Sequence, residues 1–123
     1  MAGTFQGKTS YGGITEYTWT GATDEAVGET ITAVEGHYEI LEISLHLSSA
    51  ATQDTLTATK DHAGHASDLD VEFYSQSMVG ISSALQRWAN NAGVIIPVGS
   101  ALDIAFTNTD ASTWGLSVFV RSE

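Results

Sequence analysis

The longest run of alternating apolar and polar positions is YEILEISLHLS, residues 38–48. Successive side chains of an extended chain point to opposite faces. Leu41, Ile43, Leu45 and Leu47 therefore share one face, and Glu42, Ser44 and His46 the other. Tyr38 and Ile40 stand out of phase with that set, which predicts a bulge or bend near Ile40–Leu41. Shorter runs of the same kind are ITEYTW (14–19), ETITAV (29–34), TLTATK (55–60) and LDVEFYS (69–75). In the last of these Leu69, Val71 and Phe73 face inward, and Asp70, Glu72 and Tyr74 outward. The chain closes with two strongly alternating runs, Leu102, Ile104 and Phe106, then Trp114, Leu116, Val118 and Val120, separated by a polar turn.

These runs are short, rich in β-branched and aromatic residues, and separated by Gly, Asn, Asp and Ser clusters. That is the pattern of an antiparallel sandwich or barrel. We expect an all-β, single antiparallel β-sandwich, jelly-roll-like, with about eight strands. Its core is expected to hold Leu41, Ile43, Leu45, Leu47, Leu56, Val71, Phe73, Leu102, Ile104, Phe106, Trp114, Leu116, Val118 and Val120. One stretch, residues 77–91, is ambiguous. Met78, Ile81, Leu85 and Trp88 have helical spacing, but Gly80 and a Ser pair weaken a helix, so an extended segment is expected, with a short helical turn as the alternative. Pro97 suits an edge position. Residues 1–13, Gly- and Ser/Thr-rich with isolated Phe5 and Tyr11, read as a flexible N-terminal arm, and residues 14–123 as the sandwich domain.

At 123 residues a single domain is the default, long enough to bury a core without staples. Cysteine is absent, so disulfides and thiolate metal sites are excluded. The net charge is −11, with Lys8, Lys60, Arg87 and Arg121 as the only basic side chains apart from histidine. Four scattered cations do not make a phosphate-tracking groove, and an anionic membrane surface repels such a chain. Neither nucleic acid nor membrane is expected as a partner. The opening MAGTFQGKTSYGG lacks the apolar stretch of a signal peptide.

Candidate chemistry is sparse. The segment KDHAGHASDLD, residues 60–70, gathers Asp61, His62, His65, Asp68 and Asp70, residue types that bind divalent cations. A polar inter-strand loop supplies the same composition without any metal, and the two histidines lack a helix to preorganise them. Glu39 and Glu42 could be imagined as an acid/base couple, but an acidic surface strand offers such pairs freely. His37 and His46 do not form the His-x-His pattern of a metal-binding cupin, and no Gly-x-Ser-x-Gly elbow or phosphate-binding Gly loop occurs. No catalytic residue, resident metal or cofactor is expected. Asn108 and Asp110 suit a turn, and Trp114 keeps the phase of the core strand after it. The Asn-Thr-Asp…Trp-Gly turn thus reads as a connector, and Trp19 and Trp88 as the better aromatic stacking candidates.

The residues Gly99-x-x-Leu102-x-Ile104, then Asn108-Thr109-Asp110, then Trp114-Gly115 and a final apolar strand, resemble the small β-sandwich structural proteins of tailed-phage virions. The earlier EISLHLSSAATQDTLTATKD is similar to their early hairpin, so that the resemblance spans roughly residues 36–121. Ser100 stands where that group commonly has Asp. The resemblance implies a non-enzymatic virion component, foremost a capsid decoration (cement) protein made in the host cytoplasm and placed on the capsid surface, or else a tail or fibre accessory part. The implied partners are the major capsid protein and further copies of the chain, with a homotrimer as the implied assembly and no small-molecule ligand. Phe5, Tyr11, Tyr74, Ile95 and Phe119, apolar residues away from the expected core faces, are the candidate interface residues. The competing reading is a carbohydrate-binding, lectin-like sandwich module.

Overall fold

The computed structural model describes residues 3–62, 70–89 and 93–122. Among them there are ten strands and no helix: β1 (Thr4–Tyr11), β2 (Ile14–Gly21), β3 (Val27–Thr32), β4 (Tyr38–Leu47), β5 (Thr55–Asp61), β6 (Val71–Ser77), β7 (Ser83–Arg87), β8 (Ile95–Ile96), β9 (Ala101–Phe106) and β10 (Trp114–Ser122). One sheet runs β1-β2-β10-β4-β7, with β8 also on β4, and the other runs β3-β9-β5-β6. Every strand pairing is antiparallel. With β1 and β8 set aside, the remaining strands order as β2-β10-β4-β7 facing β3-β9-β5-β6, the eight-strand winding of a jelly roll. These ten strands exceed the about eight expected, β1 and β8 being additional to this winding.

The core lies between the sheets and is built by the period-two positions of each strand. Val27, Ile31, Ile43, Leu45, Leu47, Leu56, Leu102, Ile104, Phe106, Trp114, Leu116, Val118 and Val120 are all buried there. The frame change in β4 is real. Phe119 pairs with Glu42 and Val120 with Ile40, which leaves Leu41 as the extra, bulged residue. Tyr38 and Ile40 therefore join the core, and Leu41, expected inside, is only half-buried. A second bulge was not expected. Ala58 pairs with Tyr74 and Thr59 with Glu72, so Phe73 is the extra residue of β6. The slip brings Tyr74 and Gln76 onto the inner face, opposite Ala58 and Leu56. Val71, expected in the core, keeps the inner-face register through Lys60 and Leu102 but is 56% exposed at the start of the edge strand β6. Tyr74, expected outside, packs against the core, and Phe73 lies at its margin.

Residues 4–11, expected as an arm, form β1, an edge strand hydrogen-bonded along β2 through a turn at Gly12 and Gly13. Both glycines have positive φ, 61° and 80°, which suits a tight hairpin turn and explains what a composition count read as flexibility. Residues 77–89 hold no helix: the fully buried Met78 opens a turn at Gly80 (φ 75°), where Ile81 N–H donates to Met78 O at 2.9 Å, and Ser83–Arg87 is extended, as expected, and pairs with β4. Pro97 follows β8 in a turn closed by Ser100 N–H donating to its carbonyl at 2.9 Å.

The loops sort to two ends. The hairpin turn 12–13, the β3–β4 loop 33–37 and the turn 97–100 lie at one end, called here the hairpin end. The connections 22–26, 48–54 and 107–113 lie at the other, the tryptophan end.

Candidate functional site

At the tryptophan end the polar turn after β9 is fully used in structure. Asn108 takes a left-handed conformation, φ 60°, and is buried. Its amide donates to the carbonyls of Glu25 and Ser112, both at 2.9 Å, and its oxygen accepts from Ser112 N–H at 3.1 Å. Asp110 accepts from Thr52 N–H and Oγ1 at 2.7 and 2.8 Å, and these bonds hold its carboxyl below the usual range. Asp54 accepts from Thr109 N–H at 2.7 Å. Trp114 is buried with its Nε1 donating to Glu25 O at 2.8 Å. The turn is a connector stitched to its neighbours.

The two tryptophans named as stacking candidates are also engaged. Trp19 is buried at 6% exposure. Trp88 packs against Phe73 and Tyr74, with ring centroids at 5.9 and 6.2 Å. Burial raises the Tyr74 phenol above its ordinary pKa.

Of the acidic loop, His65 and Asp68 lie outside the described residues. His62 N–H donates to Asp70 Oδ1 at 3.0 Å. Asp61 sits beside Asp70 and Asp103, and the repulsion from Asp70 first, then burial and Asp103, lift its carboxyl above the usual range. Among the described residues no three such side chains are arranged to hold a metal ion. Glu39 and Glu42 are separated by the bulge into different partnerships. Glu39, 1% exposed, is ion-paired with Arg121 and accepts Gly93 N–H at 2.8 Å. Glu42 pairs with Arg87 at 2.8 Å at the surface.

The five expected interface residues do not share one face. Phe119 pairs across to Glu16 and Glu42, and Ile95 across to Glu39, on the outer face of the six-stranded sheet. Phe5 stands on the opposite, inner face of that sheet, 51% exposed, beside Tyr17 and Trp19. Tyr74 points into the core from the other sheet. Tyr11 ends β1 opposite Ile14, and its side chain lies outside what is described.

Two concavities stand out among the described residues. A groove of about 470 Å³ crosses the outer face of the six-stranded sheet over Gly115, bordered by Thr18, Thr20, His46, Ser83 and Leu85. Its floor is low because the middle row is Gly115, Ser117 and Ser44. A larger cleft of about 680 Å³ opens at the hairpin end between the inner face of β1–β2 and the loop 33–37, with Lys8, Thr15, Tyr17, Glu35 and His37 among its walls. Sequence reasoning missed this cleft because it had no strand at 4–11. Tyr17 and Lys8 become neighbours only through β1–β2 pairing.

Val34, which lines this cleft, is 75% exposed, and Val98 is 54% exposed. Their loops are bound together: Gly99 N–H donates to Ala33 O at 2.8 Å and Ala33 N–H to Ser100 O at 2.9 Å.

No protein-family model and no curated relative matches the chain. Among solved structures, it is similar to the Aeromonas hydrophila PliG, a periplasmic inhibitor of g-type lysozyme, with 9% identity over 98% of this chain and 97% of that one and a TM-score of 0.43. It is also similar to a CBM4 structure, with 11% identity, 98% and 78% coverage and a TM-score of 0.37. A third is RmlC from Streptococcus suis in complex with dTDP-D-xylose, with 11% identity, 99% and 72% coverage and a TM-score of 0.26. Likeness at this level carries no functional argument.

Proposed function

We propose that the protein is a non-enzymatic structural part of a tailed-phage virion, a decoration protein that binds the major capsid protein and stabilises the shell. The observation that carries this reading is the apolar tip of Val34 and Val98. Two exposed valines on separate loops are held in fixed relation by paired backbone hydrogen bonds. Rigid, exposed apolar side chains at one end of a sandwich are suited to protein–protein contact. The resemblance over residues 36–121 supports it, since the residues that carry it are scaffold residues here: Asn108 and Trp114 lock a turn. A decoration protein acts by binding the assembled state alone, and each occupied site then adds to the stability of the shell.

The test is made on particles. Virions of the encoding phage contain the chain in fixed ratio to the capsid protein, and Val34→Asp with Val98→Asp prevents rebinding to stripped capsids while the β spectrum is kept. Absence of the chain from purified virions overturns the reading.

A further inference from the structure

The six-stranded sheet carries β1 outside β2, whereas the four-stranded sheet ends at β3. Towards the hairpin end the inner face of β1–β2 therefore looks across an open gap to the loop 33–37. The gap persists because both walls are fixed. On one side Ser10 and Thr15 hydroxyls share a 2.8 Å hydrogen bond across the hairpin. On the other, Tyr38 Oη donates to Ile31 O at 2.7 Å and the backbone pairing of Ala33 with residues 99 and 100 pins the loop.

The floor of the gap is aromatic. Tyr17 is half-buried and stacks on Trp19 with ring planes 16° apart and centroids at 6.2 Å, while Phe5 flanks both rings. Trp19 is buried, and Tyr17 lines the cleft together with Tyr38, whose hydroxyl is bonded to Ile31 O. The Lys8 ammonium lies over that ring, 5.6 Å from its centroid. Lys8 is exposed, and a cation–π contact at an exposed site is weak enough to be exchanged for hydrogen bonds to a ligand.

The rim gives the ligand's chemistry. Lys8 and Glu35 oppose one another in charge, and Ser10, Thr32 and His37 add further hydrogen-bonding groups. A cleft whose own charges offset, in a chain of net charge −11, favours no anion, and one carboxylate beside an ammonium favours no cation. A ligand with one apolar face and several hydroxyls at its edge satisfies both floor and rim. The volume of about 680 Å³ lies within the range of small-molecule sites, where a few placed polar groups orient a ligand held on an apolar wall.

We infer that the cleft between β1–β2 and residues 33–37 binds a neutral saccharide, its C–H face on Tyr17 and its hydroxyls shared between Lys8 and Glu35. Saccharide binding here does not rest on the virion role, and Val34 of the apolar tip also borders the cleft.

The test is a glycan array of neutral and acidic oligosaccharides, followed by calorimetric and NMR titration of the best neutral hit. Amide shifts are expected in residues 8–17 and 32–38. Tyr17→Ala weakens binding about tenfold, the loss of one aromatic stack, while Tyr17→Phe keeps it. Because Tyr17→Ala also touches the core edge, Glu35→Gln and His37→Ala, both on an exposed loop, serve as the second set, and each weakens binding several-fold with the thermal midpoint unchanged. Leu85→Ala, in the outer-face groove, leaves binding unchanged. No neutral hit, a preference for acidic glycans, or shifts confined to Thr18, His46 and Ser117 overturns the inference.

Discussion

Asn108 Nδ2 and Trp114 Nε1 converge on one acceptor, the carbonyl oxygen of Glu25, at 2.9 and 2.8 Å. The pair ties the β2–β3 connection to the turn before β10. Asn108 is buried and makes two further bonds to Ser112. Removing its amide strands several buried groups at once. Asn108→Ala is expected to cost about 2–4 kcal/mol in chemical denaturation. Trp114→Phe keeps most of the ring and loses one bond, and costs about half as much.

Glycine is required where the Trp114 ring passes over the backbone. A Cβ at Gly21 would collide with that ring, whereas one at Gly28 meets nothing within 4 Å. Gly21→Ala is expected to lower the thermal midpoint strongly. Gly28→Ala raises stability by about 0.5–1 kcal/mol, because it removes chain entropy from the unfolded state at an exposed strand position. Parallel melting curves decide both.

The Glu39–Arg121 ion pair is a buried carboxylate against a mostly buried guanidinium, with side-chain exposures of 1% and 24%. Arg121→Met strands the carboxylate and is expected to cost about 3 kcal/mol or more. A Glu39→Met, Arg121→Met double variant recovers much of that loss. The exposed Arg87–Glu42 pair behaves otherwise, and Arg87→Ala costs less than about 1 kcal/mol.

Asp61 and Asp110 bend the acid limb of stability in opposite senses. Repulsion from Asp70 raises the folded-state pKa of Asp61 above its unfolded value. Its ionised form therefore destabilises the fold above the raised pKa, and the penalty is relieved as pH falls through it. Asp110 is depressed by its bonds to Thr52. Its contribution is present above the unfolded pKa and lost as pH falls through the folded one. In denaturant midpoints from about pH 6 down to about pH 3, Asp61→Asn should raise stability most at the upper end, and Asp110→Asn should remove part of the acid-side loss.

The phage resemblance implies a homotrimer, and on that proposal Phe119 is an expected contact. Phe119 is half-buried in the outer row Glu16–Phe119–Glu42. Phe119→Asp then converts trimer to monomer in light scattering with the β spectrum intact. A monomeric wild type in moderate salt rules out a stable free trimer.

The sandwich was legible because its strands alternate cleanly, and the out-of-phase Tyr38 and Ile40 even marked the bulge at Leu41. The bulge at Phe73 left no such mark. The LDVEFYS stretch alternates in perfect order, and only pairing with β5 makes Phe73 the extra residue. β1 was hidden for a different reason. An edge strand outside the closed winding buries little, so TFQGKTSY carries no apolar period, and the glycine pair that turns it resembles linker composition. The cleft depends on that strand and was hidden with it.

β1 is bonded on one side only, while β10 lies between β2 and β4 and is bonded on both. Under mechanical load the two outermost strands of the chain differ in kind. Tension drawing Thr4 away from Thr20 can open the β1–β2 ladder one rung at a time, at low force, and leave the eight-strand winding whole. Tension along β10 must shear two ladders together. The protein thus has a yielding first strand and a load-bearing last one.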